Sequence, residues 1–96
     1  MNEKNKSVGA KIKVTGRVQR VAYRYFVQHW AEYFGIGGWV RNQRDGSVFL
    51  EAEGRKDRIE KLIKELQEGP NMARVEDVNV KWIGFENKFR NFEVRY

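Results

Sequence analysis

The residues of this sequence best suited to chemistry are Arg20 and Arg24, which lie where an alternating strand gives way to a helix. Between Gln19 and Arg24 the chain has no Ser, Thr, Asp or Asn, the side chains that usually accept the first helical N–H groups. Those N–H groups have no partner within a helix, and together with the helix dipole they favour an anion. The two guanidinium groups add full positive charge, so this segment predicts a phosphate cradle. A solvated turn whose N–H groups bind water is the alternative that these residues leave open.

A strand and a helix must position this segment. Alternation of apolar and polar residues from Val8 to Thr15 predicts a half-buried strand. Apolar residues at steps of three and four then predict a helix, which Gly35 and Gly37 end. We interpret the apolar stripe of this helix as core: Tyr23, Phe26, Val27, Trp30, Ala31 and Phe34. His29 lies off the stripe, and we interpret it as a surface histidine rather than a general base.

The second half of the chain contains the remaining strands and one more helix. Asp45 and Gly46 predict a hairpin turn, and Asp57 lies where the cap of the second helix is expected. The predicted elements here are the strands Trp39–Arg41, Ser47–Glu53, Val75–Ile83 and Phe89–Tyr96, and a helix from Asp57 to Gly69. The order predicts an α+β, ferredoxin-like βαββαβ two-layer sandwich, with two helices on one face of an antiparallel sheet of four to five strands.

Composition limits the class of protein. With 96 residues the chain suits one domain, which we place at residues 8–96 behind a flexible lead-in over residues 1–7. The absence of cysteine excludes disulfides, thiolate metal sites and cysteine nucleophiles. A net charge of +6 favours anionic partners, although it also serves solubility, and a charged fraction of 33% hints at heat stability. No apolar run approaches the length of a membrane helix and residues 1–6 are polar, so a cytoplasmic location without a membrane partner is predicted.

Two glycine-led motifs stand out in the sequence. The first reads Gly-Arg-Val-Gln-Arg-Val-Ala-Tyr-Arg from Gly16 to Arg24, and the second reads Gly-Trp-Val-Arg-Asn from Gly38 to Asn42. From about Val8 to its end the chain resembles the acylphosphatase family, enzymes that hydrolyse the carboxyl–phosphate bond of acyl phosphates. Further matches in spacing are Gly46, Val48, Gly54, Gly69, Pro70 and the strand from Val75. Where the family usually has glycine this chain has Arg20, and a residue with a Cβ adopts positive φ only at a cost.

The resemblance implies that Arg24 binds the phosphate and that Asn42 positions the attacking water. A guanidinium can donate two parallel hydrogen bonds to phosphate oxygens, and a carboxamide can hold a water although it cannot deprotonate one. If the first two strands are neighbours in the sheet, their ends bring these two side chains to one edge. Backbone N–H groups are expected around the other phosphate oxygens, from Gln19, Arg20, Val21, Ala22, Tyr23 and Arg24.

The same resemblance implies a small-molecule acyl phosphate as substrate, and inorganic phosphate or sulfate as a bound anion. No carboxylate cluster or histidine pair suggests a metal site, so we predict an enzyme without metal or other cofactor. We also predict a monomer. Water activation by the substrate's own phosphate is left open by the sequence. A further hypothesis is that the carboxylate of Tyr96 lies near Arg24 and orients it.

Two other functional classes compete with this interpretation. An RNA-recognition module has the same element order, but such modules stack bases on aromatic side chains of the central strands. The first strand here presents Lys11 and Lys13, and Phe49 is the aromatic candidate on the third, so nucleic acid is not the expected partner. A non-catalytic relative that binds carbamoyl-type phosphates is the second class. The presence of both Arg24 and Asn42 argues against it.

Overall fold

The computed structural model describes residues 5–96, which form five strands and two helices in the predicted order. The strands are β1 Ser7–Arg17, β2 Gly37–Asn42, β3 Val48–Arg55, β4 Arg74–Ile83 and β5 Phe92–Arg95, and the helices are α1 Tyr23–Tyr33 and α2 Lys56–Glu68. The predicted ferredoxin-like α+β order is confirmed. The lead-in over residues 1–7 lies partly outside the described residues and stays a prediction, although its last residue already belongs to β1.

The strands form one five-stranded sheet in the order β4-β1-β3-β2-β5. Four of the strands pair antiparallel, but β5 pairs parallel to β2, so the prediction of a wholly antiparallel sheet is wrong at this edge. The physical reason is the connection between β4 and β5. Because it joins opposite edges across one end of the sheet, β5 runs antiparallel to β4 and therefore in the same direction as β2.

The core lies between the sheet and the two helices, and the predicted alternation of β1 is confirmed. Ala10, Ile12 and Val14 are fully buried, whereas Lys11 and Lys13 are exposed. The helices contribute their apolar stripes to the same core: Tyr23, Val27 and Ala31 from α1, and Ile59, Leu62 and Leu66 from α2. Phe26, Trp30 and Phe34 of the predicted stripe pack against this core while partly buried. No helix among residues 5–96 is long and apolar enough to cross a membrane.

The outer face of the sheet is partly covered by the connection between β4 and β5, residues 84–91. Glu53 of β3 is buried and accepts hydrogen bonds from the backbone N–H groups of Glu86 at 2.6 Å and Lys88 at 3.0 Å. The Lys88 ammonium also lies 2.7 Å from the buried carboxylate of Glu51. The glutamates that alternation assigns to the outer face of β3 are therefore buried under this connection rather than solvated.

The start of α2 differs from the prediction. Arg55, not Asp57, occupies the cap position, and no side chain caps the helix. Asp57 lies in the first turn, where it pairs with Arg55 through Nη2 at 2.8 Å, and this guanidinium holds the pKa of Asp57 below its usual range. The backbone N–H of Lys56 is satisfied by the carbonyl of Lys6. The carboxylate of Asp57 still lies near the positive end of the α2 dipole, where a negative charge is stabilising.

Candidate active site

Five of the seven predicted site residues meet at a cavity of about 200 Å³ between α1 and the end of β2. Its lining residues are Val18, Arg20, Ala22, Tyr23, Arg24, Tyr25 and Asn42. A larger cavity of about 540 Å³ lies at the other end of the sheet, beside Gly37 and Gly54, and none of the predicted site residues lines it. The smaller cavity is therefore the candidate site.

The end of β1 is shaped by a glycine that no other residue could replace without displacement. The pairing of β1 with β4 shifts register between Thr15 and Gly16, and Gly16 has a φ of 121°. A Cβ at this position would lie 2.1 Å from the carbonyl oxygen of Arg74. Glycine permits both the positive φ and the close approach of the two backbones, so the strand can bend into the site.

The connection from β1 to α1, residues 18–22, contains two residues in the left-handed region. Arg20 has a φ of 62° and Ala22 a φ of 60°. For residues with a Cβ this conformation costs roughly 1–2 kcal/mol each. The position at which Arg20 replaces the expected glycine therefore does require positive φ, and the loop is strained there. Backbone strain of this kind clusters at binding sites, where the surrounding structure holds it.

The start of α1 is free of caps, as predicted. Ala22 is the cap residue and forms no side-chain cap bond, and the first turn contains no acidic residue. The first helical hydrogen bond runs from the N–H of Phe26 to the carbonyl of Ala22 at 3.1 Å. The preceding N–H groups of the helix have no acceptor within it, and they lie where Arg24 enters the cavity.

The side chain of Gln19 joins this loop to the turn between β2 and β3. Its Nε2 donates to the carbonyls of Gln43 at 2.7 Å and Ser47 at 2.8 Å. Within that turn, Ser47 donates through its hydroxyl to Asp45, and Lys13 lies 2.9 Å from the same carboxylate. These contacts hold the pKa of Asp45 well below its usual range, with the Ser47 hydroxyl as the largest cause. Asp45 is thus a turn residue, as expected.

Asn42 reaches the site although its strand is not next to β1. The condition that the first two strands are neighbours is not met, because β3 lies between them. β1 and β2 both pair antiparallel with β3, so they run in the same direction and finish at the same end of the sheet. The side-chain oxygen Oδ1 of Asn42 is buried and has no hydrogen-bond partner among the described residues. A buried acceptor without a partner is costly, and such groups in cavities are usually satisfied by water or a ligand.

Arg24 is held from the end of the chain by a backbone carbonyl and an aromatic ring. Its Nη1 donates to the carbonyl of Arg95 at 2.8 Å, and its guanidinium carbon lies 4.5 Å from the centre of the Tyr96 ring. The hydroxyl of Tyr96 pairs in turn with the hydroxyl of Tyr25, and this bond raises the pKa of Tyr96. The contacts of Arg24 in the described chain include no ion pair with the Tyr96 carboxylate, so the hypothesised carboxylate contact is replaced by the carbonyl and the ring.

The charges that line the cavity are all positive. Of residues 5–96, Arg20 and Arg24 are the two charged lining residues, and no Asp or Glu is among the lining residues. His29 is exposed on α1 and lies outside the lining, as predicted for a surface histidine. Within residues 5–96 no group of three or more His, Cys, Asp or Glu side chains could hold a metal ion. The site is therefore suited to an anion rather than a cation.

A sequence model of the acylphosphatase family matches residues 10–94. This chain belongs to the acylphosphatase family. The acylphosphatase of Salinibacter ruber is 50% identical over 83 residues, which cover 86% of this chain and 87% of the relative. That of Oceanobacillus iheyensis is 42% identical over 87 residues, 90% of this chain and 96% of the relative. The crystal structure of acylphosphatase from Bacillus subtilis superimposes with a TM-score of 0.90 at 32% identity, over 93% of this chain and 99% of that one.

The acylphosphatase cavity contains only part of the predicted phosphate-binding set. Arg20, Ala22, Tyr23 and Arg24 line it, whereas Gln19 and Val21 do not. Gln19 uses its side chain to hold the turn after β2, and Val21 packs against the core. The hydroxyl of Tyr23 points into the core, where it donates to the carbonyl of Leu66 at 2.7 Å.

Sequence reasoning missed two lining residues of this acylphosphatase site, Val18 and Tyr25. Val18 lies inside the first motif and is fully buried, so its apolar character was the available signal. Tyr25 is exposed and directly follows Arg24, but its role depends on contact with Tyr96 across the fold. No local pattern reports that contact.

Proposed function

We propose that this chain hydrolyses acyl phosphates to a carboxylate and inorganic phosphate, with Arg24 and Asn42 as catalytic residues. The observation that carries the proposal is the buried, unpartnered Oδ1 of Asn42 in the same cavity as the Arg24 guanidinium and the uncapped start of α1. The Asn42 oxygen can accept a hydrogen bond from a water, while the Arg24 guanidinium and the first N–H groups of α1 can donate to a phosphate beside that water. Membership of the acylphosphatase family supports the same reaction.

The phosphate is bound by the guanidinium of Arg24 and by backbone N–H groups at the start of α1. One nitrogen of Arg24 is engaged by the Arg95 carbonyl, which leaves the other nitrogen atoms of the guanidinium free to donate to phosphate oxygens. Backbone N–H groups of the segment from Gln19 to Arg24 donate to the remaining oxygens, assisted by the helix dipole. Inorganic phosphate or sulfate would occupy the same site as a competing anion.

The water is held by Asn42 and attacks phosphorus in line with the bond to the acyl oxygen. The new bond forms between the water oxygen and phosphorus, while the bond from phosphorus to the acyl oxygen breaks and its electron pair leaves with the carboxylate. A carboxylic acid has a pKa of about 4, so this leaving group needs no general acid. Because no His, Asp or Glu of residues 5–96 lines the cavity, the water proton passes to a phosphate oxygen of the substrate.

We further propose that one chain acts alone and without a cofactor. In support, the cavity combines the Arg24 guanidinium with the unpartnered Asn42 oxygen among the described residues, and positioning with electrostatics is sufficient for phosphoryl transfer. We also propose a cytoplasmic location, because a chain without cysteine is compatible with a reducing compartment.

The experiment is hydrolysis of benzoyl phosphate by the purified chain, followed as loss of absorbance with a chelator present. We expect turnover well above spontaneous hydrolysis, competitive inhibition by inorganic phosphate, and loss of both in Arg24→Ala. The matched control is Arg90→Ala, which removes an exposed arginine at the other end of the sheet. Hydrolysis no faster than in buffer, by a chain whose folding is verified by circular dichroism, would refute the proposal.

A further inference from the structure

Arg20 is a cation at the mouth of the cavity that the reaction described above does not use. Arg20 is one of the lining residues and is exposed. Arg24, the other lining cation, is held by the Arg95 carbonyl and the Tyr96 ring. The guanidinium of Arg20 has no hydrogen bond, ion pair or ring contact with any residue from 5 to 96. It is therefore available to an external anion.

The in-line geometry of the displacement determines which part of the substrate lies near Arg20. In-line displacement places the attacking water and the leaving group on opposite sides of phosphorus. With water at Asn42, the acyl group extends away from Asn42 and out of the cavity mouth. The exposed lining residues that form this mouth are Arg20, Ala22 and Tyr25.

Of these three mouth residues, one is free to recognise charge. Ala22 has no polar side chain, and the hydroxyl of Tyr25 is engaged by the hydroxyl of Tyr96. Arg20 presents a planar, permanently charged fork that matches the geometry of a carboxylate. It keeps this position although its φ of 62° is strained for a residue with a Cβ.

We propose that Arg20 is a specificity residue that selects acyl phosphates whose acyl group carries a second negative charge, such as a free carboxylate. The proposal rests on the proposed function, since it assigns the acyl side of that same site. The phosphate and water positions are unchanged, and Arg20 contributes by pairing with the distal anion of the substrate.

The test compares two substrates of the same shape, 4-carboxybenzoyl phosphate and 4-carbamoylbenzoyl phosphate, which differ in the charge of the distal group. Each kcat/KM is divided by the rate of spontaneous hydrolysis of that substrate, so that differences in leaving-group reactivity cancel. We expect the carboxylate substrate to be preferred roughly two- to fivefold, as for an ion pair near solvent. The preference should decrease as salt is added, because salt screens exposed pairs.

Three variants decide whether Arg20 is responsible. Arg20→Gln keeps the side-chain stem and the backbone strain but removes the charge, and we expect it to abolish the preference. Arg20→Lys keeps the charge and should retain most of it. Arg90→Gln removes a charge at the other end of the sheet and should leave the preference unchanged.

The possible failures are distinguishable. A preference that persists in Arg20→Gln, or a loss of rate in Arg20→Gln that is equal for both substrates, overturns this inference. Hydrolysis of both substrates by the unmodified chain at equal normalised rates also overturns it, while leaving the proposed function intact. If neither substrate is hydrolysed, the proposed function fails together with the inference. Circular dichroism and urea unfolding of each variant show whether the variant has folded.

Discussion

The guanidinium of Arg24 packs against the ring of Tyr96, with its central carbon 4.5 Å from the ring centre. The chain thereby brings its last residue back to the start of α1, and the hydroxyl pair of Tyr96 and Tyr25 holds the ring in place. A stacked guanidinium loses part of its rotational freedom before an anion arrives. The geometry of the proposed phosphate site therefore depends on a contact between the start of α1 and the residue that follows β5.

Replacement of Tyr96 by Leu should weaken phosphate binding, because the ring that orients Arg24 is lost while its charge is kept. We expect the inhibition constant for inorganic phosphate to rise roughly two- to fivefold, the range of an exposed cation–π contact. Phosphate inhibition of benzoyl phosphate hydrolysis measures this. The control is Tyr33→Leu, which removes another exposed tyrosine, on the last turn of α1. Unchanged inhibition in Tyr96→Leu would show that the ring does not orient Arg24.

Replacement of Arg24 by Ala should lower kcat/KM by about 100-fold or more, as expected when a preorganised donor to the transferring phosphate is removed. Inhibition by phosphate should disappear at the same time, because the same group binds product and substrate. Arg24→Lys should recover only part of the activity, since an ammonium keeps the charge but not the fork. Full activity in Arg24→Lys would mean that charge alone, and not bidentate geometry, is used.

Replacement of Asn42 by Ala should separate turnover from binding. The variant loses the acceptor that holds the water, so kcat should fall about 100-fold. The phosphate donors are untouched, and the inhibition constant for inorganic phosphate should stay within about twofold of the unmodified chain. The two constants are measured on the same preparation with benzoyl phosphate. A parallel loss of phosphate binding would contradict the assignment of water to Asn42 and phosphate to Arg24.

Replacement of Gln19 by Ala should destabilise the protein and misplace Asn42. The variant loses two hydrogen bonds, although the carbonyls of Gln43 and Ser47 keep the backbone N–H groups of Gly46 and Gln43 as donors. The loss should lower the free energy of unfolding by about 1–3 kcal/mol, the net worth of two such bonds. Because this side chain joins the β1–α1 connection to the turn after Asn42, kcat should fall as well. Urea unfolding and steady-state kinetics measure the two effects, and Gln67→Ala on the exposed face of α2 is the control. A stable, fully active Gln19→Ala chain would show that the turn between β2 and β3 keeps its conformation without the Gln19 side chain.

Replacement of Asp45 by Asn should remove an acid-sensitive part of the stability. The pKa of Asp45 is lowered by folding, so its contribution is present above its unfolded value of about 4 and is lost as pH falls toward the folded value. The difference in urea midpoint between the unmodified chain and Asp45→Asn should therefore be largest near neutral pH and shrink below about pH 4. Asp77→Asn on β4 is the control for loss of a carboxylate. A difference that stays constant from neutral pH to about pH 3 would contradict the lowered pKa.

Local pattern alone determined the elements of this protein and much of its site. Apolar spacing identified β1, α1 and α2, because the periods of strands and helices are properties of neighbouring residues. The uncapped start of α1 was readable from the absence of Ser, Thr, Asp and Asn between Gln19 and Arg24. The two motifs likewise identified the acylphosphatase family that the comparison with relatives confirms.

Tertiary structure decided how these pieces meet. The parallel pairing of β5 with β2, the insertion of β3 between β1 and β2, and the burial of Glu51 and Glu53 all depend on pairings between distant segments. So do the partners of Gln19 and Arg24, and the lack of one for the Asn42 oxygen. A side chain's contacts across the fold depend on the whole packing arrangement and not on its neighbours in sequence. Residue types could therefore be assigned to the site in advance, whereas their partners could not.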